Sequence, residues 1–280
     1  MRAGLLQLSV GDLPAQNVDL VREALRHAVA QGADFVLTPE CTNCISADRK
    51  HQHAVLTDEG SDPVLAMLRD EAARAGIWVL AGSLIVKTDD PDGRFANRSV
   101  LIGPDGGITA RYDKIHLFDV QVTPTETYRE SAAIRPGAQA VVAQTPFATL
   151  GLSICYDVRF AYLYRDLAKS GAQILTVPAA FSPVTGAAHW ETLLRARAIE
   201  TGCFVLAPAQ CGQHPNTTGR PRATHGHSLV VAPWGEVVAD GGTEPGVIMV
   251  DLDLADVAKA RQRVPALDHD RPYAKPGAPA

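Results

Sequence analysis

Apolar residues along the chain fall into two rhythms. Short apolar or alternating runs bounded by Gly, Pro, Asn or Asp predict strands at 4–10, 35–37, 77–86, 99–102, 108–112, 140–143, 150–155, 174–177, 204–207, 228–232, 236–239 and 247–250. Segments with apolar residues at helical spacing predict helices at 18–30, 63–75, 162–169, 187–201 and 254–263. The alternation of the two predicts an α/β chain. Two tight turns, Gly103-Pro104-Asp105-Gly106-Gly107 and Pro233-Trp234-Gly235, lie between β-rich runs, so the sheets are expected to be mixed, with antiparallel hairpins.

The pattern also repeats. Gly4-Leu5-Leu6-Gln7-Leu8 resembles Gly151-Leu152-Ser153-Ile154-Cys155, and Gly32-Ala33-Asp34-Phe35-Val36-Leu37-Thr38-Pro39 resembles Gly171-Ala172-Gln173-Ile174-Leu175-Thr176-Val177-Pro178. Gly76-Ile77-Trp78-Val79-Leu80-Ala81 pairs with Gly202-Cys203-Phe204-Val205-Leu206-Ala207, and the run from Ser99 with the run from Ser228. Four such matches in one order predict two similar halves, each a βαβ start followed by a strand and a hairpin. Two equivalent sheets packed face to face, with helices outside, would bury both sets of strands. No linker rich in Pro, Gly or Ser marks the junction. The expectation is one domain, about 1–266 as core and 267–280 as a C-terminal tail.

Composition narrows the function classes. The chain has 280 residues, 46% hydrophobic and 20% charged, with a net charge of −5. A chain of this size buries ~75% of its unfolded surface and needs no disulfide or metal to fold. The absence of a basic block argues against a nucleic-acid partner. Windows 136–156 and 170–190 lack charged residues, but each carries two prolines, so neither reads as a membrane span. The first apolar run is too short for a signal peptide. Five cysteines, an odd count, fit a reducing compartment, and a cytoplasmic location is expected.

The repeat isolates what differs between the halves. Glu40 follows Thr38-Pro39 where the second half has Ala179, and Cys155 stands at a strand end where the first half has Leu8. Scaffold should repeat and chemistry need not. A thiol at a strand end before the polar turn Tyr156-Asp157-Val158-Arg159 reads either as a small buried hydrophobe or as an exposed nucleophile. Glu40 reads as a turn carboxylate or as the base that generates a thiolate. Lys114 reads as a solvated residue leaving a strand or as a partly desolvated cation.

Thr38-Pro39-Glu40-Cys41, the run Arg111 to Asp119, and Leu152-Ser153-Ile154-Cys155-Tyr156-Asp157-Val158-Arg159-Phe160 together resemble the signature blocks of the nitrilase, or carbon–nitrogen hydrolase, superfamily. The segment Thr185 to Glu200, with Gly226-His227-Ser228 and Pro233-Trp234-Gly235, resembles its amidase-like Nit branch. The resemblance spans Gly4 to about Tyr273. It implies an α-β-β-α sandwich of two mixed sheets. It implies Glu40 as general base, Lys114 as oxyanion-stabilising cation, Cys155 as nucleophile, and Glu130 as the glutamate that holds the lysine and positions substrate. The Tyr156 backbone N–H would complete the oxyanion site. Phe118, Phe181, Arg159 and His189 are the expected substrate contacts, with Arg159 the nearest arginine in sequence for a substrate carboxylate.

The implied activity is hydrolysis of a small carboxylate-bearing amide, an ω-amide or a deaminated-glutathione-like one, to acid and ammonia through a cysteine thioester. No metal or other cofactor is implied, and a homodimer or larger homo-oligomer is. An N-carbamoyl amino acid hydrolase or a nitrilase of the same superfamily is the alternative. Arg159-Phe160-Ala161-Tyr162 departs from the family pattern, which commonly has Glu at the last position. Readings of another class are a metal-dependent amidohydrolase using His51, His53, His225 or His227, a zinc or redox pair at Cys41 and Cys44, and a non-catalytic binding protein.

Overall fold

The computed structural model describes residues 1–124, 126–274 and 276–277; the remaining tail positions of the expected 267–280 segment lie outside the described residues. The first half contains β1 (Arg2–Gln7), α1 (Pro14–Ala30), β2 (Phe35–Leu37), α2 (Arg49–Val55), α3 (Pro63–Ala75), β3 (Trp78–Val86), β4 (Ala96–Ile102), β5 (Ile108–Asp113), β6 (Asp119–Thr123) and β7 (Glu126–Arg129). The second contains β8 (Val141–Gln144), β9 (Thr149–Leu152), α4 (Ala161–Lys169), β10 (Ile174–Thr176), α5 (Pro183–Thr201), β11 (Phe204–Ala207), β12 (Cys211–Gln213), β13 (Ala223–His225), β14 (Leu229–Val231), β15 (Val237–Asp240), β16 (Gly246–Asp251) and α6 (Ala255–Arg263).

Two six-stranded mixed sheets form, in the orders β16-β1-β2-β3-β4-β5 and β15-β14-β11-β10-β9-β8. Strands β1, β2 and β3 are parallel, as are β9, β10 and β11, and in each sheet the next two strands form an antiparallel hairpin. The order of the repeat is therefore the order of the sheets. Both expected hairpins are present, at Gly103–Gly107 and at Pro233–Gly235.

The strands read as continuous apolar runs because both faces are covered. Leu5, Leu37, Leu80 and Leu101 join the core shared with the second sheet, where Leu150, Leu152 and Leu206 meet them. Their chain neighbours Leu6, Val36, Val79 and Val100 point the other way, into the layer under α1 and α3 with Val21, Leu25, Leu65 and Leu68. Period-two alternation thus splits one run between two cores.

Helix ends follow their local chemistry. In α3 the Asp62 side chain accepts from the Leu65 N–H, Pro63 opens the helix, and Gly76 ends it with φ 67°. In α5 the Ser182 hydroxyl accepts from the Thr185 N–H and Pro183 opens the helix, so it begins at Pro183 and not at the expected position 187. The Ser182-Pro183 cap, more than apolar spacing, decides that boundary. Helix α2 and the two-stranded pairs β6–β7 and β12–β13 were not expected; they are short and largely polar, so neither rhythm reveals them. The tail folds back where Asp270 pairs with Arg165 and Lys169 of α4.

Candidate active site

Each chemical residue leaves the end of a strand. Glu40 follows β2, Lys114 follows β5, Glu130 follows β7, and Cys155 lies beyond β9. The Glu40 turn is built by close backbone approach. Thr38 Oγ1 accepts from the Gly82 N–H at 3.0 Å and meets Thr42 Oγ1 at 2.7 Å. A Cβ on Gly82 would sit 1.8 Å from the Thr38 carbonyl oxygen, so only glycine lets β3 pass this turn.

Strand β9 ends at Leu152, and Cys155 opens a short 3₁₀ turn instead of ending the strand as expected. Cys155 adopts φ 50°, in the left-handed region that a side chain enters at a cost of roughly 1–2 kcal/mol. The thiol is not freely exposed: the residue is 8% accessible and reaches solvent through a cavity. Asp157 holds the turn. Its buried carboxylate accepts from the Tyr112 hydroxyl at 2.6 Å, the Ile154 N–H at 2.9 Å, the His116 N–H at 3.0 Å and His116 Nδ1 at 2.7 Å. These bonds tie the cysteine turn to the segment carrying Lys114. Tyr162, which replaces the family's usual glutamate, places its hydroxyl 2.5 Å from His116 Nε2 and extends the same chain of contacts.

Glu40, Lys114, Glu130 and Cys155 converge. Lys114 Nζ lies 2.8 Å from Glu40 Oε1 and 2.9 Å from Glu130 Oε2, with only 2% of its surface accessible. Asn97 on β4 donates to Glu40 at 2.9 Å and to Glu130 at 3.3 Å. The Ala180 N–H donates to the second Glu40 oxygen at 2.9 Å, and the Phe118 N–H donates to Glu130 at 2.6 Å. The Cys155 thiol lines the same cavity as Glu40 and lies within reach of its charge.

This geometry sets the resting protonation. Burial alone pushes the Glu40 carboxyl up, but the Lys114 charge beside it and the bonds it accepts hold it below the ordinary carboxylate range. Burial pulls Lys114 down, and the two carboxylates outweigh that and raise it well above its ordinary value. Burial and the Glu40 charge push the Cys155 thiol well up. A carboxylate and an ammonium in contact therefore share the cavity with a neutral thiol, an arrangement suited to moving one proton from sulfur to oxygen when an electrophile arrives.

The cavity has a volume of about 630 Å³, room for a small-molecule ligand. Phe118, Phe181 and Tyr156 line it with the four residues above. Arg159 and His189 do not, contrary to expectation. The Arg159 guanidinium lies 5.7 Å from the ring centres of Tyr156 and of Phe181 and 3.3 Å from His189 Nδ1, and it does not pair with Asp157, whose carboxylate is engaged as described. Asn97, Asp157 and the lining residue Arg222 were missed by sequence reasoning. Asn97 precedes the apolar part of its strand, and Arg222 flanks a strand too short to show a pattern. Asp157 alone had a signal, as the acid in the turn after the thiol.

The other candidates are otherwise occupied. Cys41 and Cys44 line the cavity as free thiols, Cys44 donating to the Asp12 carbonyl at 3.4 Å. His51 Nε2 meets the same carbonyl at 2.9 Å, His53 packs on Phe95, and His225 stacks on His227, which contacts Asp240. Among the described residues no group of three His, Cys, Asp or Glu side chains is arranged to hold a metal.

Comparison with known proteins agrees with the geometry. Residues 2–262 match the family model described as carbon-nitrogen hydrolase. The chain is 39% identical over 270 residues to a deaminated glutathione amidase of Synechocystis sp., covering 95% of this chain and 97% of that one. It is 35% identical over 270 residues to the human omega-amidase NIT2, covering 96% and 95%. A solved variant of the amidase from Nesterenkonia sp. AN1 is 29% identical with a TM-score of 0.75, covering 94% of each chain, and bears the acetamide moiety of fluoroacetamide covalently added at its active-site cysteine. Matched along nearly its whole length in sequence, and in fold by an amidase whose active-site cysteine forms covalent adducts, the chain belongs to the carbon–nitrogen hydrolase family.

Proposed function

We propose that the protein hydrolyses the terminal amide of a small carboxylate-bearing compound, with Cys155 as nucleophile, Glu40 as base and acid, and Lys114 as oxyanion-stabilising cation. The observation that carries this is the Glu40 carboxylate, kept ionised by Lys114 at 2.8 Å, sharing the cavity wall with the Cys155 thiol.

Glu40 takes the thiol proton as sulfur adds to the amide carbon, and the carbonyl π pair moves onto oxygen. Lys114 and the Tyr156 N–H receive the oxyanion, a type of donor whose removal costs ~10²–10³ in rate. The intermediate collapses, the C–N bond breaks, and the Glu40 proton leaves with ammonia, which gives a thioester. Glu40 then takes a proton from water, hydroxide adds to the thioester carbon, and sulfur departs to recover its proton. Glu130 holds Lys114 throughout through its own contacts at 2.9 and 3.0 Å.

The substrate class rests on similarity to a deaminated glutathione amidase and an omega-amidase. Phe118 and Phe181 bracket the bound chain, and Arg159 and His189 act from behind Tyr156 and Phe181. Residues 1–266 work as one catalytic unit. A cytoplasmic homodimer or larger assembly is part of this reading; the five free cysteines and the exposed Tyr162, Val184 and Ile199 on α4 and α5 support it.

The test is ammonia release over a panel of ω-amides, N-carbamoyl amino acids and nitriles, with Cys155→Ala alongside. Amide turnover that vanishes in the variant, with a hydroxamate trapped by hydroxylamine, supports the reading. Full activity in Cys155→Ala refutes it.

A further inference from the structure

Arg222 lines the same cavity, and the chemistry above makes no use of it. It sits just before β13 and faces the β6–β7 pair, its guanidinium 5.6 Å from the Tyr128 ring centre. Its Nη2 makes one long contact, 3.4 Å, to the Ala180 carbonyl. Its Nε is buried with no hydrogen-bond partner. Arg98, Arg111 and Arg135 each pair with Glu59 or Asp113; the Arg135 Nε is likewise buried without a partner, but unlike Arg222 that guanidinium has a carboxylate beside it. Among the described residues no carboxylate lies within ion-pair distance of Arg222. Glu126, the acid beside it in the lining, accepts instead from the Tyr128 hydroxyl at 2.6 Å.

An arginine cannot shed its charge, and a cation with an unsatisfied buried N–H costs the fold free energy until an anion reaches it. Its planar fork matches a carboxylate. Position matters as much as charge. Ala180, whose carbonyl receives Arg222, gives its own N–H to Glu40 at 2.9 Å, so a single residue touches both the cation and the proposed base. The Cys41 thiol, next to Glu40, feels it too: burial and Glu40 push that thiol up, and Arg222 opposes them.

We propose that Arg222 is a specificity-determining residue that binds the carboxylate of the amide substrate, selecting amides whose carboxylate and scissile group are joined by a short chain. This deepens the function proposed above and rests on it. It also assigns the carboxylate to a group inside the cavity, where Arg159 does not lie.

The experiment compares glutaramate, which carries the carboxylate, with valeramide, which does not, in the native protein, Arg222→Met and Arg222→Lys. A charge-assisted hydrogen bond is worth enough that the ratio of kcat/KM for glutaramate over valeramide should fall roughly ten- to hundredfold in Arg222→Met. Arg222→Lys should fall between, because it keeps the charge and loses the fork. Beside this, glutarate should slow iodoacetamide labelling of Cys155 in the native protein and not in Arg222→Met. Loss of both amides in proportion, leaving the ratio unchanged, would make Arg222 a clasp on Tyr128 and overturn the assignment. Ammonia from neither amide in the native protein would refute the amidase reading instead, and Arg222-dependent protection by glutarate would still support the anion site. Equal protection of the native protein and Arg222→Met would refute it.

Discussion

Replacing Lys114 by methionine removes one charge from between two carboxylates, and the structure says how stability should respond. The ammonium lies 2.8 Å from Glu40 and 2.9 Å from Glu130. At an effective dielectric of ~20, each contact is worth about 6 kcal/mol before desolvation. Burying the ammonium offsets much of that sum, and removing one partner of such a cluster costs about 3–5 kcal/mol. The variant is therefore expected to lose that much stability at pH 8.

The pH dependence is the sharper test. In the native protein the folded Glu40 pKa lies below its unfolded value, so its contribution is complete above the ordinary carboxylate range and is lost only in acid, as pH falls through the folded value. Without Lys114, burial is the dominant influence left and lifts the folded pKa above the unfolded one. The folded state then takes up a proton as pH falls, and the penalty shrinks by about 1.4 kcal/mol per pH unit below that raised value. Urea unfolding followed by tryptophan emission, at fixed protein concentration and pH 5.5, 6.5 and 7.5, would report both effects. A penalty under about 1 kcal/mol that is identical at all three pH values would refute the account of a buried, charge-compensated cluster.

Two further outcomes test other parts of the framework. Asp157→Asn keeps the shape but replaces one acceptor oxygen by a donor; a loss of about 2–4 kcal/mol is expected, with kcat falling more than KM changes because the cysteine turn loosens. An unchanged kcat would reduce Asp157 to a purely stabilising role. His214, buried between the Val10 carbonyl and Thr224 Oγ1, is held neutral chiefly by burial, its pKa lowered to about 4. The unfolded chain binds that proton first, so stability falls as pH drops from 7 through 6.5 toward 4, by about 2 kcal/mol between pH 7 and 5. His214→Gln should show that much less acid sensitivity in the same unfolding assay, and an equal slope would contradict it.

The parts legible in the sequence were those that local rules decide. Strands 35–37 and 204–207 and the α3 helix fall where the pattern put them, because an apolar run or a capped amphipathic stretch can be buried in few other ways. The repeat foretold the paired sheets, since four matched segments in one order imply one architecture made twice. Glu40 and Cys155 stood out as the places where the halves differ, and Lys114 and Glu130 came through resemblance to a family.

What only the tertiary structure decides is proximity. Asn97 bridges two carboxylates that lie 57 and 33 residues away along the chain, and no local pattern encodes such a meeting. Arg159, next to the thiol in sequence, lies outside the cavity, whereas Arg222 is inside it. The charge states follow the same rule: Glu40 is held ionised because of where the fold sets Lys114, and its own sequence neighbourhood is silent on that. Burial patterns are a property of the chain's order, but desolvation and Coulomb energy depend on distances that only packing sets.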